Sequence, residues 1–157
     1  MRKVLSLLAT VFAVLALTNG AAFASQSASS TTRIGVSTGS AFDLVPVLGG
    51  STFIVAGTVH SSLFGNGTFL GEGSQTGATS FTVTTVTVFK HGTLTQTGAG
   101  TNTGQNTATV LDTIVGGTGE FAGATGSSTL VSISSPTSNP QLTVVQFAAV
   151  GTITLAH

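Results

Sequence analysis

Cysteine is absent from this chain of 157 residues, which removes both a disulfide framework and thiol chemistry. Charge is nearly absent as well: Asp, Glu, Lys and Arg together make up 5% of the residues. Beyond residue 24 the only charged side chains are Arg33, Asp43, Glu72, Lys90, Asp112 and Glu120. A phosphate backbone is gripped by clustered Lys or Arg that displace its counterions, and there is no cluster here. Nucleic acid and anionic membrane surfaces are thereby excluded as expected partners. No useful stretch after residue 24 has helical periodicity, and none there approaches transmembrane length. Disorder is excluded in turn, because the chain is rich in Val, Ile, Leu and Phe and poor in net charge.

What is present begins with a targeting pattern. Arg2 and Lys3 precede an apolar run over residues 4–17, which Thr18-Asn19-Gly20 interrupts. Ala22-Phe23-Ala24 then supplies the small-x-small site of a signal peptidase. We expect residues 1–24 to be a signal peptide cleaved after Ala24, which leaves a secreted protein with no membrane attachment. Residues 25–157 are one domain's worth of chain, enough to bury a core without cross-links.

Thr, Ser, Val and Gly dominate that remainder, a mixture that favours strands separated by tight turns. Phe53, Val55 and Val59 share one parity, and period-two alternation predicts further strands over 33–38, 68–74, 92–98, 107–115, 128–134 and 141–155. The last is expected to bend near Gly151. Phe81 and Val83 fall on one parity but Val86 and Val88 on the other. That slip around Thr84-Thr85 predicts a β-bulge, or else a strand buried on both faces. Turns are expected at Gly49-Gly50, Gly65-Asn66-Gly67, His91-Gly92, 98–105, Gly116-Gly117 and 136–140. About eight short strands at even spacing point to an all-β fold, either a closed barrel or a sandwich.

Several motifs carry less than their pattern promises. Residues 117–122 fit G-x-G-x-x-A, but Gly/Ser-rich chain follows where a helix would have to hold a pyrophosphate. Gly35-Val36-Ser37-Thr38-Gly39 fits a nucleophile elbow but lacks the α/β sheet that such an elbow needs. His60, His91 and His157 have no ligand spacing, so no metal site and no cofactor is expected. Asn66-Gly67-Thr68 is a glycosylation sequon. The Thr-x-Thr runs at 82–84, 85–87 and 93–95 have no repeat to sustain a flat threonine array, and read as ordinary strand surface. Asp112 shares parity with Val110 and Ile114. Facing a barrel interior, it would be a desolvated carboxylate able to act as general acid or base. The plainer alternative is a strand-end acid bonded to nearby hydroxyls. Glu72 has the same two readings, and both acids are candidate catalytic residues.

Residues 114–126, Ile-Val-Gly-Gly-Thr-Gly-Glu-Phe-Ala-Gly-Ala-Thr-Gly, resemble the VVGGTG-x-F-x-x-A-x-G segment of plant dirigent proteins. Relatives with the allene oxide cyclase barrel carry a similar GGTG-x-F/Y-x-G-A-x-G segment. Phe89, then Gly92-Thr93-Leu94-Thr95-Gln96-Thr97-Gly98, looks like the family's preceding F-x-x-G-T/S-L-x-x-x-G strand. The match covers about residues 86–130, and Asp43-Leu44-Val45-Pro46 echoes a short allene oxide cyclase segment. The resemblance implies an exported, eight-stranded antiparallel barrel over 51–157, preceded by a partly extended segment at 25–50. It implies a motif of Gly116, Gly117, Gly119, Phe121 and Gly126; physically this reads as a hairpin whose glycines allow positive φ and close approach, so that Phe121 can plug the barrel end. It also implies a lumen lined by Phe53, Phe81, Phe89 and Phe121 that holds a small hydrophobic molecule. Departures from the family are equally informative. Thr125 stands where dirigent proteins usually have Arg, there is no tyrosine, and the cysteine of plant allene oxide cyclases is missing. No catalytic residue carries over.

Three functions are expected from these readings. The first is a secreted barrel that binds a small hydrophobic molecule and orients it. The second is a cyclase or isomerase of the allene oxide cyclase type, using Asp112 or Glu72. The third is a structural exoprotein whose barrel is filled by side chains. Apolar residues on both parities of several strands predict a homo-oligomer.

Overall fold

The computed structural model describes residues 30–44 and 50–156. The expected signal peptide lies outside the described residues, as do residues 45–49 and His157. Eight strands follow in chain order: β1 (Ser30–Leu44), β2 (Thr52–Ser61), β3 (Gly65–Gln75), β4 (Ser80–Phe89), β5 (Gly92–Asn102), β6 (Thr107–Gly117), β7 (Thr125–Pro136) and β8 (Leu142–Ala156). Each pairs antiparallel with its neighbour in sequence, and β1 pairs with β8 to close the barrel. The fold is therefore all-β, and of the barrel and the sandwich that the strand count allowed it is the closed eight-stranded barrel. A single 3₁₀ turn, Gly119–Phe121, is the one helical element among the described residues.

β1 is a full barrel strand, paired over its whole length with β8 and over its second half with β2. The barrel thus begins ahead of residue 51 and takes in much of the 25–50 segment. Closure pairs every strand on both sides except the first half of β1, which has no partner on its β2 side, and so leaves little open edge in a chain with almost no charged side chains to guard one.

Strand alternation divides the residues between an interior and an outer wall. Inward positions are odd-numbered on β1 to β4 and β8, and even-numbered on β5 to β7, as the interior lining shows. Outward positions are mostly Thr, Ser, Ala and aliphatic residues. Ile34 is 73% exposed and Leu111 62%, with Val36, Phe42, Val131 and Val150 also open on the same wall. Glu72 lies at an exposed outward position on β3.

The register of β4 is continuous with both β3 and β5 across Thr84-Thr85. No bulge forms there. Thr85 and Thr87 take inward positions while Val86 and Val88 join the apolar outer wall, so the strand carries apolar residues on both faces. The irregularity lies between β5 and β6 instead, at Thr95/Gln96.

One end of the barrel, where β1 starts and β8 finishes, is packed solid. Phe89, Leu94, Ile114, Phe121, Ala124, Ile153 and Leu155 form a buried cluster, with Val59, Leu63 and Phe64 against it. Phe121 is fully buried, and its ring lies edge-on to Phe64 at 4.8 Å and tilted to Phe89 at 5.6 Å. Burying a Phe contributes about 1.5–3 kcal/mol, so this cluster carries much of the barrel's apolar stabilisation.

The glycine motif delivers Phe121 to that place. Gly119 has φ +62, and a Cβ there would strike the His91 carbonyl. With only hydrogen at that position, the turn lies flat on the β4–β5 hairpin. Glu120 N–H then donates to His91 O at 3.1 Å, and Thr118 N–H to Thr93 O at 2.9 Å. A Cβ on Gly117 would meet Phe121 itself. The sequence expectation that Phe121 plugs one end is met.

Candidate functional site

Beyond Phe121 the barrel is hollow, and the hollow reaches down to the inner faces of Phe89, Leu94, Ile114 and Ile153. A cavity of about 320 Å³ runs down the interior, within the range of small-molecule sites. An eight-stranded barrel is normally just wide enough to be filled by its own side chains, so the space needs a cause. That cause is the size of the inward residues. Gly39, Gly57, Gly71, Gly73, Gly98, Gly100 and Gly151 all occupy inward strand positions, alongside Ala41, Ala108 and Ala149.

The largest inward residues are phenylalanines, and three of them are stowed against those glycines. Phe53 lies directly across from Gly73, Phe81 from Gly100, and Phe147 from Gly39. A methyl group on any of these glycines would run into the facing ring. The rings therefore lie over backbone rather than projecting to the barrel axis. They meet one another edge to face, Phe53 with Phe81 at 5.7 Å and Phe69 with Phe147 at 5.6 Å. The result is an aromatic wall around open space.

Two carboxylates face that space. Asp112, at the middle of β6, is 9% exposed and lines the cavity. Burial pushes its carboxyl up to about 6, and a long 3.5 Å bond from the Ser128 hydroxyl to Oδ2 opposes that only weakly. Asp43, next to last in β1 and so near the open mouth, also lines the cavity. Its Oδ1 is buried with no hydrogen-bond partner, and burial raises its carboxyl to about 6. The lining contains no Lys, Arg or His among the described residues. Desolvation raises both carboxyls, and among the described residues only the Ser128 hydroxyl opposes it, at Asp112.

The remaining sequence-predicted site residues divide cleanly. Phe53, Phe81 and Phe89 line the cavity, as does Asp112. Phe121 lies below it, in the sealed end. Glu72 occupies an exposed position on the outer wall, away from the lumen. Gly116, Gly117, Gly119 and Gly126 belong to the closed end, with positive φ at Gly116, Gly119 and Gly126. Among the described residues no three His, Asp or Glu side chains come together. His60 bonds Asn66 at 2.8 Å on the outer surface.

Asp43 is the functional candidate that the sequence analysis missed. A signal was available: residues 35, 37, 39, 41 and 43 are small or polar on one parity, while Ile34, Val36, Phe42 and Leu44 hold the other. The chain matches no protein-family model and no curated protein.

Proposed function

We propose that this protein is an exported barrel that takes one small hydrophobic molecule into its open half and holds it in a fixed orientation. The observation that carries this reading is the glycine-made cavity, walled in part by phenylalanine and lined by the carboxylates of Asp43 and Asp112. Apolar walls favour burial of a hydrophobic body, and a small number of placed polar groups set its orientation. The leader-like residues 1–24 support export. The dirigent and allene oxide cyclase resemblance agrees with a ligand-holding barrel. Asp112 is the group placed for proton transfer if the ligand is also cyclised or isomerised.

A second reading, assembly, has its own support in the outer wall. Outward positions on β6, β7, β8 and β1 carry Leu111, Val131, Val150, Val36 and Ile34 as exposed apolar side chains. A wall of that composition fits a second copy of this chain, because so little charge stands there to repel one.

One experiment addresses both readings: native mass spectrometry of the protein secreted by its own host. The expected spectrum shows a small non-covalent adduct and more than one chain per particle. A bare protein that also takes up no hydrophobic probe would sink the ligand reading, and a bare single chain at high concentration would sink the assembly reading.

A further inference from the structure

The wall chemistry narrows the class of ligand, a step that rests on the lumen being the binding site. We propose that the ligand is an amphiphilic cation, an apolar body bearing one protonated amine, with Asp112 as the counter-ion of its ammonium. A carboxylate taken out of water needs a donor or an opposite charge. The protein supplies very little: Asp112 receives one long bond from Ser128 at Oδ2, and no other side-chain bond to it is made among the described residues. Asp43 receives none at Oδ1.

Among the described residues no Lys, Arg or His faces either acid. Asp112 faces Gly98 on β5 and Ser128 on β7. Asp43 faces Val55 on β2 and Thr143 on β8. The other titratable groups among the described residues lie elsewhere. Arg33, His91 and Glu120 line a separate pocket at the sealed end, Lys90 lies exposed in a turn, and His60 and Glu72 are on the outer wall. A donor brought by the ligand would therefore relieve a desolvated charge that the described residues leave largely unmet.

The aromatic lining agrees with the same chemistry. Phe53, Phe69, Phe81 and Phe147 line the same cavity as the two acids. A cation within about 6 Å of such a ring is attracted by its quadrupole. Asp43 near the mouth adds attraction at the point of entry, and Asp112 holds the charge at depth.

The test uses two isosteric probes, 2-naphthylmethylamine and 2-naphthalenemethanol, titrated calorimetrically into the secreted protein. At pH 7.5 the amine is expected to bind about tenfold tighter or more, the worth of one charge-assisted contact in a dry site. Its advantage should shrink as pH falls through 6, because protonated Asp112 and Asp43 no longer attract an ammonium. The alcohol's affinity should stay level. Asp112→Asn should erase most of the difference between the probes, and Asp43→Asn a smaller share. Melting curves of both isosteric variants establish that they are folded.

Equal binding of amine and alcohol at pH 7.5 overturns the cationic class while leaving a hydrophobic-ligand lumen intact. A preference for amine that survives Asp112→Asn overturns the role of Asp112. Binding of neither probe removes the lumen reading along with it.

Discussion

The two ends of this barrel are made by the same eight strands yet differ in what their inward positions hold. At the sealed end those positions carry Phe89, Leu94, Ile114, Ile153 and Leu155, locked by Phe121. Toward the other end they carry glycine, alanine, serine and a few aliphatic residues between stowed phenylalanines, and two poorly partnered acids. Side-chain volume, rather than strand number, thus decides where an eight-stranded barrel is solid and where it is hollow. The division also separates tasks. Stability is concentrated below, and the desolvated, chemically responsive groups are concentrated above, where they weaken the fold.

The sharpest way to break this division is to remove the plug. Phe121→Ala should cost about 3–5 kcal/mol, read as a lower urea midpoint. A loss under about 1 kcal/mol would mean that the sealed end is not the anchor.

The acids give the next largest effect, with the opposite sign. A carboxyl raised from 3.8 to about 6 binds its proton more tightly in the folded state. Stability should therefore be highest at and below about pH 4, fall as pH rises towards 6, and level off above it. Asp112 accounts for at most about 3 kcal/mol of that fall, and Asp43 for less, since its carboxyl is more open to water. Asp112→Asn should flatten the profile and raise the melting temperature at pH 7. A variant that is less stable than the parent at pH 7 would contradict the account.

The smallest effect on stability should come from filling the hollow. Ala149→Leu adds bulk to open space and should change stability by less than about 1.5 kcal/mol, while abolishing uptake of a naphthyl probe. Undiminished uptake would place the ligand elsewhere.

The strand count and the plug were legible in the sequence because both depend on local signals: alternation, and glycines around a single Phe. The hollow was not, and the reason is the double meaning of glycine. Gly65-Asn66-Gly67 and residues 98–105 read as turns, yet Gly65 and Gly67 lie in β3, and Gly98 and Gly100 lie in β5 as inward residues. Gly39 likewise reads as the end of the first strand. In the barrel it is an inward position beneath Phe147, and β1 continues through it to Asp43. Only cross-strand partners tell a stowing glycine from a turning one. Glu72 shows the same limit from the other side. Its strand is legible, but the parity that faces inward is set by closure with distant strands.

The seam between β1 and β8 has a consequence for how the chain reaches its native state. It joins the first described strand to the last, pairing Ser30 with Ala156 and Leu44 with Leu142, over 15 residues. A nascent or unfolding chain that lacks β8 has two open, nearly uncharged edges, on β1 and on β7. These are good templates for pairing with other chains. Closing this ladder requires the most distant strand pairing among the described residues, so folding should be slow and complete only at its final step. For this barrel, protection of the chain until the last strand arrives matters as much as any interaction in the finished structure.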